Sequence, residues 1–159
     1  MTGTRASATA FAPASVGNVA VGFDILGHTV AALGDRVTVT RRAEPGVSIR
    51  SITGVVLDLP LAAEKNTAGM AALALQRELG LPFGFDLDVV KGIPLGSGLG
   101  GSAASAVAAV VAAAAVVDQP LDRTQLLKFA MQGEAVASGS VHVDNIAPSL
   151  FGGLVLTVG

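Results

Sequence analysis

The chain has no cysteine, no tryptophan and no tyrosine, and only two histidines, His28 and His142. Without cysteine there is no disulfide, no thiol nucleophile and no thiolate metal site. Two histidines are too few for a histidine-rich metal centre. Phenylalanine, at 6 residues, is the sole aromatic, so the stacking platforms of single-strand binders are not expected. Charge is scarce as well: 14% of residues carry one, 10 basic against 12 acidic, for a net charge of −2. Nucleic acid and acidic membranes attract proteins with a basic surplus, so neither is an expected partner.

What remains is apolar. Hydrophobic residues make up 51% of 159, which suits one domain with a sizeable core and argues against disorder. The longest apolar run, residues 103–117, is broken only by Ser105 and consists of alanine and valine. It is shorter than the roughly 20 residues that span a bilayer, so it reads as a buried helix. Residues 1–9 hold one arginine and no apolar stretch, unlike a signal peptide. The expected compartment is the cytoplasm.

Strand signals come first. Residues 5–11 alternate and stop before Pro13; residues 14–24 read as a packed loop. Residues 28–33 and 35–42 read as two strands, and residues 47–52, after the Pro45-Gly46 turn, as another. Residues 66–79 have helical spacing and end at Gly80 with Pro82 beyond. Residues 83–90 alternate as a half-buried strand. Asp122 and Gln125 have capping-box spacing for a helix ending near Ser138-Gly139. Residues 144–150 read as a short helix, and residues 154–158 as the start of a strand. The order is not a regular βαβα repeat, so the expected class is α+β, a mixed or antiparallel sheet covered by helices.

The strongest local signal is Pro94, Leu95, Gly96, Ser97, Gly98, Leu99, Gly100, Gly101 and Ser102, between a strand and the apolar helix. Glycines let successive N–H groups turn into one concavity, and the helix start adds free donors and a positive dipole end. Such a loop cradles phosphate. Ser97, Ser102 and Ser105 add hydroxyls. It is not a Walker A loop, which requires a lysine, nor a dinucleotide fingerprint, since no early βαβ unit surrounds it. The plainer reading is close helix packing.

Three further groups are candidates. Asn18 and Asp24, in a loop of small apolar residues, have the chemistry to hold an amine and a hydroxyl; ordinary turn formation accounts for them equally. Glu134 is a candidate Mg²⁺ ligand, because Mg²⁺ at phosphate sites takes one or two carboxylates; a solvated helix face is the alternative. His142, Asp144 and Asn145 follow in a polar segment, where Asp144 reads as a helix N-cap and His142 by itself as structural.

Taken together, residues 12–24, the loop from Pro94 to Ser105, and His142-Val143-Asp144-Asn145 with Pro148 and Phe151-Gly152-Gly153 resemble the homoserine kinases of the GHMP small-molecule kinase superfamily. One departure is Gly101, where many superfamily loops carry serine. The resemblance implies the ribosomal protein S5 domain 2-like fold of the GHMP N-terminal domain. It covers nearly all of this chain but about half of such an enzyme, so residues 1–159 are expected to be the ATP-binding N-terminal portion, with a C-terminal domain outside it. The implied reaction uses ATP and Mg²⁺ to phosphorylate the hydroxyl of L-homoserine, a step toward threonine. The loop from Pro94 to Ser102 would hold ATP phosphates, and Ser102 and Glu134 the Mg²⁺. Asn66 and Thr67 would lie near adenine or ribose. Asn18, Asp24, His142 and Asn145 would bind homoserine, with Asp24 and Asn145 nearest the chemistry and Asp24 the runner-up base. No arginine but Arg36 lies near these motifs, so the substrate carboxylate would be held from the other half. Homodimerisation stays open. So do a GHMP kinase for another alcohol, which a catalytic Asp–Lys or Asp–Arg pair, not evident in the sequence, would favour, and a nucleotide-binding fragment without turnover.

Overall fold

The alternation that marks strands in the sequence sorts residues between two sides of one sheet. Asp35, Val37 and Val39 turn inward and are buried, while Arg36, Thr38 and Thr40 face out. The computed structural model describes residues 5–139 and 141–158. Its sheet has five strands: β1 (Ser7–Val16), β2 (Leu26–Arg42), β3 (Val47–Gly54), β4 (Gly84–Lys91) and β5 (Leu154–Leu156). The order is β1-β2-β4-β3, with β5 also on β2. All pairings are antiparallel except β3 with β4. The architecture is the expected mixed α+β.

Two strand boundaries differ from the sequence reading. β1 does not stop before Pro13 but runs on to Val16. Proline is tolerated because β1 is an edge strand and the register slips between Pro13 and Ala14. The packed loop accordingly starts at Gly17 rather than at Ala14. The two strands expected over residues 28–33 and 35–42 are one strand of 17 residues. Gly34 interrupts the pattern without breaking the strand: a Cβ there would collide with the carbonyl of Ala12 and the ring of Phe11.

Four α-helices complete the chain: α1 (Thr67–Glu78), α2 (Gly101–Ala115), α3 (Arg123–Ser138) and α4 (Val143–Phe151). Asn66 caps α1, accepting from Ala68 N and Gly69 N at 3.0 and 3.3 Å. The Asp122–Gln125 capping box of α3 forms as its spacing indicates. α2 is buried on almost every side, as its uniform apolarity requires. It packs on β1 and β2 and against α1, and α3 lies across α1 and α2 rather than on the sheet. One N-cap is reassigned: His142, not Asp144, occupies that position of α4, and Asp144 falls in the first turn. Among the described residues, no helix is long and apolar enough to cross a membrane.

Candidate active site

The Gly-rich loop connects β4 to α2 through three left-handed glycines, Gly96, Gly98 and Gly100, at φ of 67°, 71° and 64°. Alternating positive φ at these positions curls the backbone round a concavity that residues with a Cβ would resist. Gly100 is the N-cap of α2, and no side chain caps that helix. The N–H groups of its first turn are therefore available to an anion. The loop is tied down by Ser15 N, which donates to Leu99 O at 3.1 Å.

This loop lines a cavity of about 670 Å³. Its walls bring together Asn18, the run from Pro94 to Ser102, Glu134, His142 and Asn145. These come from segments more than 100 residues apart in sequence, as the 130-residue separation of the Ser15–Asn145 contact shows. Of the predicted site residues, Asn66, Thr67 and Asp24 lie elsewhere. Asn66 and Thr67 line an adjoining cavity of about 320 Å³ with apolar walls that include Leu59, Val89 and Val136. The two cavities share Lys91, Leu95 and Ser102. The Asn66 side chain is itself engaged, capping α1 and donating to Pro60 O at 3.0 Å. Asp24 sits on the exposed loop after β1, where its N–H donates to Asn18 Oδ1 at 2.7 Å.

Glu134 is not on a solvated helix face. It is 3% exposed, because α3 turns it toward the first turn of α2. One residue earlier, Gly133 lets α3 lie close on α1, since a Cβ there would run into Thr67 O and Ala71 Cβ. Ser102 Oγ donates to Glu134 Oε1 at 2.9 Å, and His142 Nδ1 lies 3.5 Å from the same oxygen. Oε2 is buried without a hydrogen-bond partner. Burial pushes the Glu134 carboxyl above the usual glutamate range, against the opposing pull of Ser102 and His142. A buried carboxylate with one free oxygen beside a serine hydroxyl is a hard-oxygen set suited to Mg²⁺. Among the described residues, no cluster of three metal-ligating side chains exists, so such an ion would depend on ligand oxygens as well.

The sequence reading missed the polar network under the loop. Lys91 and Asp35 form an ion pair with side chains 3% and 0% exposed. Lys91 Nζ also donates to Gly101 O and Ser105 Oγ, each at 2.8 Å. Asp35 Oδ1 accepts from Gly92 N and Ile93 N at 2.9 and 3.3 Å, and Oδ2 accepts from Ser105 at 2.6 Å. The signal available in the sequence was the charge itself, Asp35 and Lys91 at inward positions of two strands. A buried Asp–Lys pair is therefore present that the sequence reading did not bring together. The three protons of its lysine are all taken by acceptors within the protein.

A Gly-rich loop at an uncapped helix start, with a buried carboxylate and serine beside it, has the geometry of an anion-binding site. Residues 66–153 match the family described as GHMP kinases N terminal domain, and the chain belongs to that family. It is 58% identical over 153 residues to a homoserine kinase of Xylella fastidiosa, covering 96% of this chain and 48% of that protein. It is 58% identical over 149 residues to one from Xanthomonas campestris, covering 94% and 46%. The crystal structure of homoserine kinase from Cytophaga hutchinsonii superposes with a TM-score of 0.94 at 45% identity, covering 100% of this chain and 50% of that one. A Methanococcus jannaschii mevalonate kinase shares the fold, with a TM-score of 0.67 at 17% identity, over 92% of this chain and 51% of that one. The chain spans about half the length of the curated relatives it matches.

Proposed function

We propose that this chain is the ATP-binding N-terminal portion of a homoserine kinase, which uses ATP and Mg²⁺ to phosphorylate the hydroxyl of L-homoserine on the way to threonine. The observation that carries it is the convergence of the uncapped α2 start, the Ser102–Glu134 pair and the Asn18–His142–Asn145 wall on one cavity. The likeness to proteins named homoserine kinase supports this choice of alcohol.

Phosphoryl transfer needs positioning and charge neutralisation more than covalent help. The backbone of Gly96, Gly98, Gly100 and Gly101 donates to the phosphates, and the α2 dipole favours their charge. Ser102 and Glu134 hold the Mg²⁺, which when bound offsets charge on the phosphate oxygens. Asn66 and Thr67 stand at the apolar second cavity, which suits the nucleoside. Asn18, His142 and Asn145 line the acceptor side, with Asn145 orienting the hydroxyl. Asp24, on the rim loop, supplies a carboxylate for the substrate ammonium and is the second choice as base. Arg36 lies 5.2 Å over the Phe11 ring and lines neither cavity, so the cation for the substrate carboxylate is assigned to a residue outside residues 1–159. The enzyme works in the cytoplasm.

An acceptor panel tests this on the full-length protein. ADP release is measured with homoserine, mevalonate and galactose, alongside calorimetric titration of ATP. Homoserine-dependent release with ATP binding is expected. Release with another alcohol alone would move the protein elsewhere in the family. ATP binding without any acceptor-dependent release would leave a nucleotide-binding module.

A further inference from the structure

The loop between β1 and β2 holds three non-glycine residues in the left-handed region: Asn18, Ala20 and Asp24, at φ of 56°, 51° and 58°. That conformation is disfavoured for residues with a Cβ and persists where neighbours over-determine it. The neighbour here is α4. Asp144 Oδ2 accepts from Asn18 N at 2.9 Å, and Asn18 Oδ1 in turn accepts from Asp24 N at 2.7 Å. One chain of hydrogen bonds thus runs from the first turn of α4 through Asn18 to Asp24.

The packing is shaped round this carboxylate. A Cβ at Gly17 would collide with Asp144 Oδ2, and one at Gly27 with Asp144 O. The Asp144 side chain is buried, yet its Oδ1 has no hydrogen-bond partner. A buried carboxylate with an unmet oxygen is costly to keep. A simple helix cap does not explain it, because His142 holds the cap position. Placement in the first turn of α4 favours its negative charge, and the next residue, Asn145, lines the main cavity beside Asn18.

We propose that Asp144 is the positioning residue of the acceptor-substrate loop: its carboxylate holds Asn18 left-handed, so that Asn18 faces the cavity and Asp24 keeps its place on the rim. This rests on the assignment of that loop to the alcohol rather than to the nucleotide. Asp144 acts through Asn18 and touches neither ligand.

The test uses the full-length protein and begins without substrate. A through-hydrogen-bond NMR coupling between the Asn18 amide nitrogen and the Asp144 carboxylate carbon is expected in the unaltered protein; its absence overturns the proposal. Asp144→Ala should speed amide exchange at Asn18 and Asp24 at least tenfold while the α2 amides keep their protection. Asp144→Asn retains an acceptor oxygen and should restore the exchange rate. Unchanged exchange in Asp144→Ala, or equal loss in α2, overturns the proposal. In steady-state kinetics, Asp144→Ala should raise KM for homoserine tenfold or more and leave KM for ATP within twofold. A rise in KM for ATP alone overturns it. Failure of the unaltered enzyme to phosphorylate homoserine would count against the proposed function, while the coupling and exchange data still decide the role of Asp144.

Discussion

At the residue scale, Glu134 shows how a site is kept ready at a cost to the unliganded fold. Its carboxyl is raised above the ordinary glutamate range chiefly by burial. The folded state therefore holds a proton at pH values where the unfolded chain has already lost it. The associated stability is fully present below the ordinary glutamate value and is lost as pH rises through the folded value. Glu134→Gln removes that loss. Without Mg²⁺ it is expected to melt higher than the parent at pH 7, with the difference vanishing near pH 4, in thermal unfolding followed across that range. The same variant should weaken Mg²⁺-dependent nucleotide binding. Asp35 is buried against a cation instead. Asp35→Asn leaves the Lys91 ammonium buried without its counter-charge, and breaking a buried pair in this way costs about 3–5 kcal/mol. Urea unfolding should register that loss at neutral pH.

At the element scale, α2 does two jobs with different residues. Its body is alanine and valine, small enough to lie close on β1 and β2 with no face left for water. Its first turn is left uncapped and polar, facing the cavity. Ser102→Ala separates the two. In the full-length enzyme it is expected to lower turnover at least tenfold, the equivalent of ~1.4 kcal/mol in the barrier. The unfolding free energy should fall by about 1–3 kcal/mol, because the buried Glu134 oxygen loses its hydroxyl donor, a loss that leaves the enzyme folded at 25 °C. Unchanged turnover of the folded variant would reduce Ser102 to a structural role. α2 and α3 were legible in the sequence because burial and capping leave local marks: an unbroken apolar run, and Asp122 three residues before Gln125. β2 was legible only in part. Gly34 reads as a break, and the clash that excludes a Cβ comes from β1, a different segment.

At the scale of the whole molecule, apolar side chains are left uncovered at one end of the sheet. Val21, Phe23, Ile25, Leu154, Leu156 and Val158 are all exposed. Pairing of β5 with the start of β2, and of Thr157 N with Ile25 O at 2.7 Å, gathers them. Exposed apolar side chains in such number favour association. The 159-residue chain by itself is expected to self-associate in light scattering, and serine at Phe23 and Leu156 together should reduce it. Strictly monomeric behaviour of the unaltered chain would count against the patch.

The sequence by itself determined the Gly-rich turn before α2, the class of fold and the helices, because glycine freedom, periodicity and capping act over a few neighbouring residues. It also named Glu134, Asn18 and Asn145 as candidates. Only the tertiary structure decided that Glu134 is buried with a free oxygen, that Asp35 and Lys91 meet beneath the loop, and that Asp144 serves the β1–β2 loop rather than the cap of its own helix. Burial and ion pairing depend on which distant segments pack together. Lys91 lies 56 residues from Asp35, and Asp144 lies 126 from Asn18, separations over which composition and spacing carry no geometry.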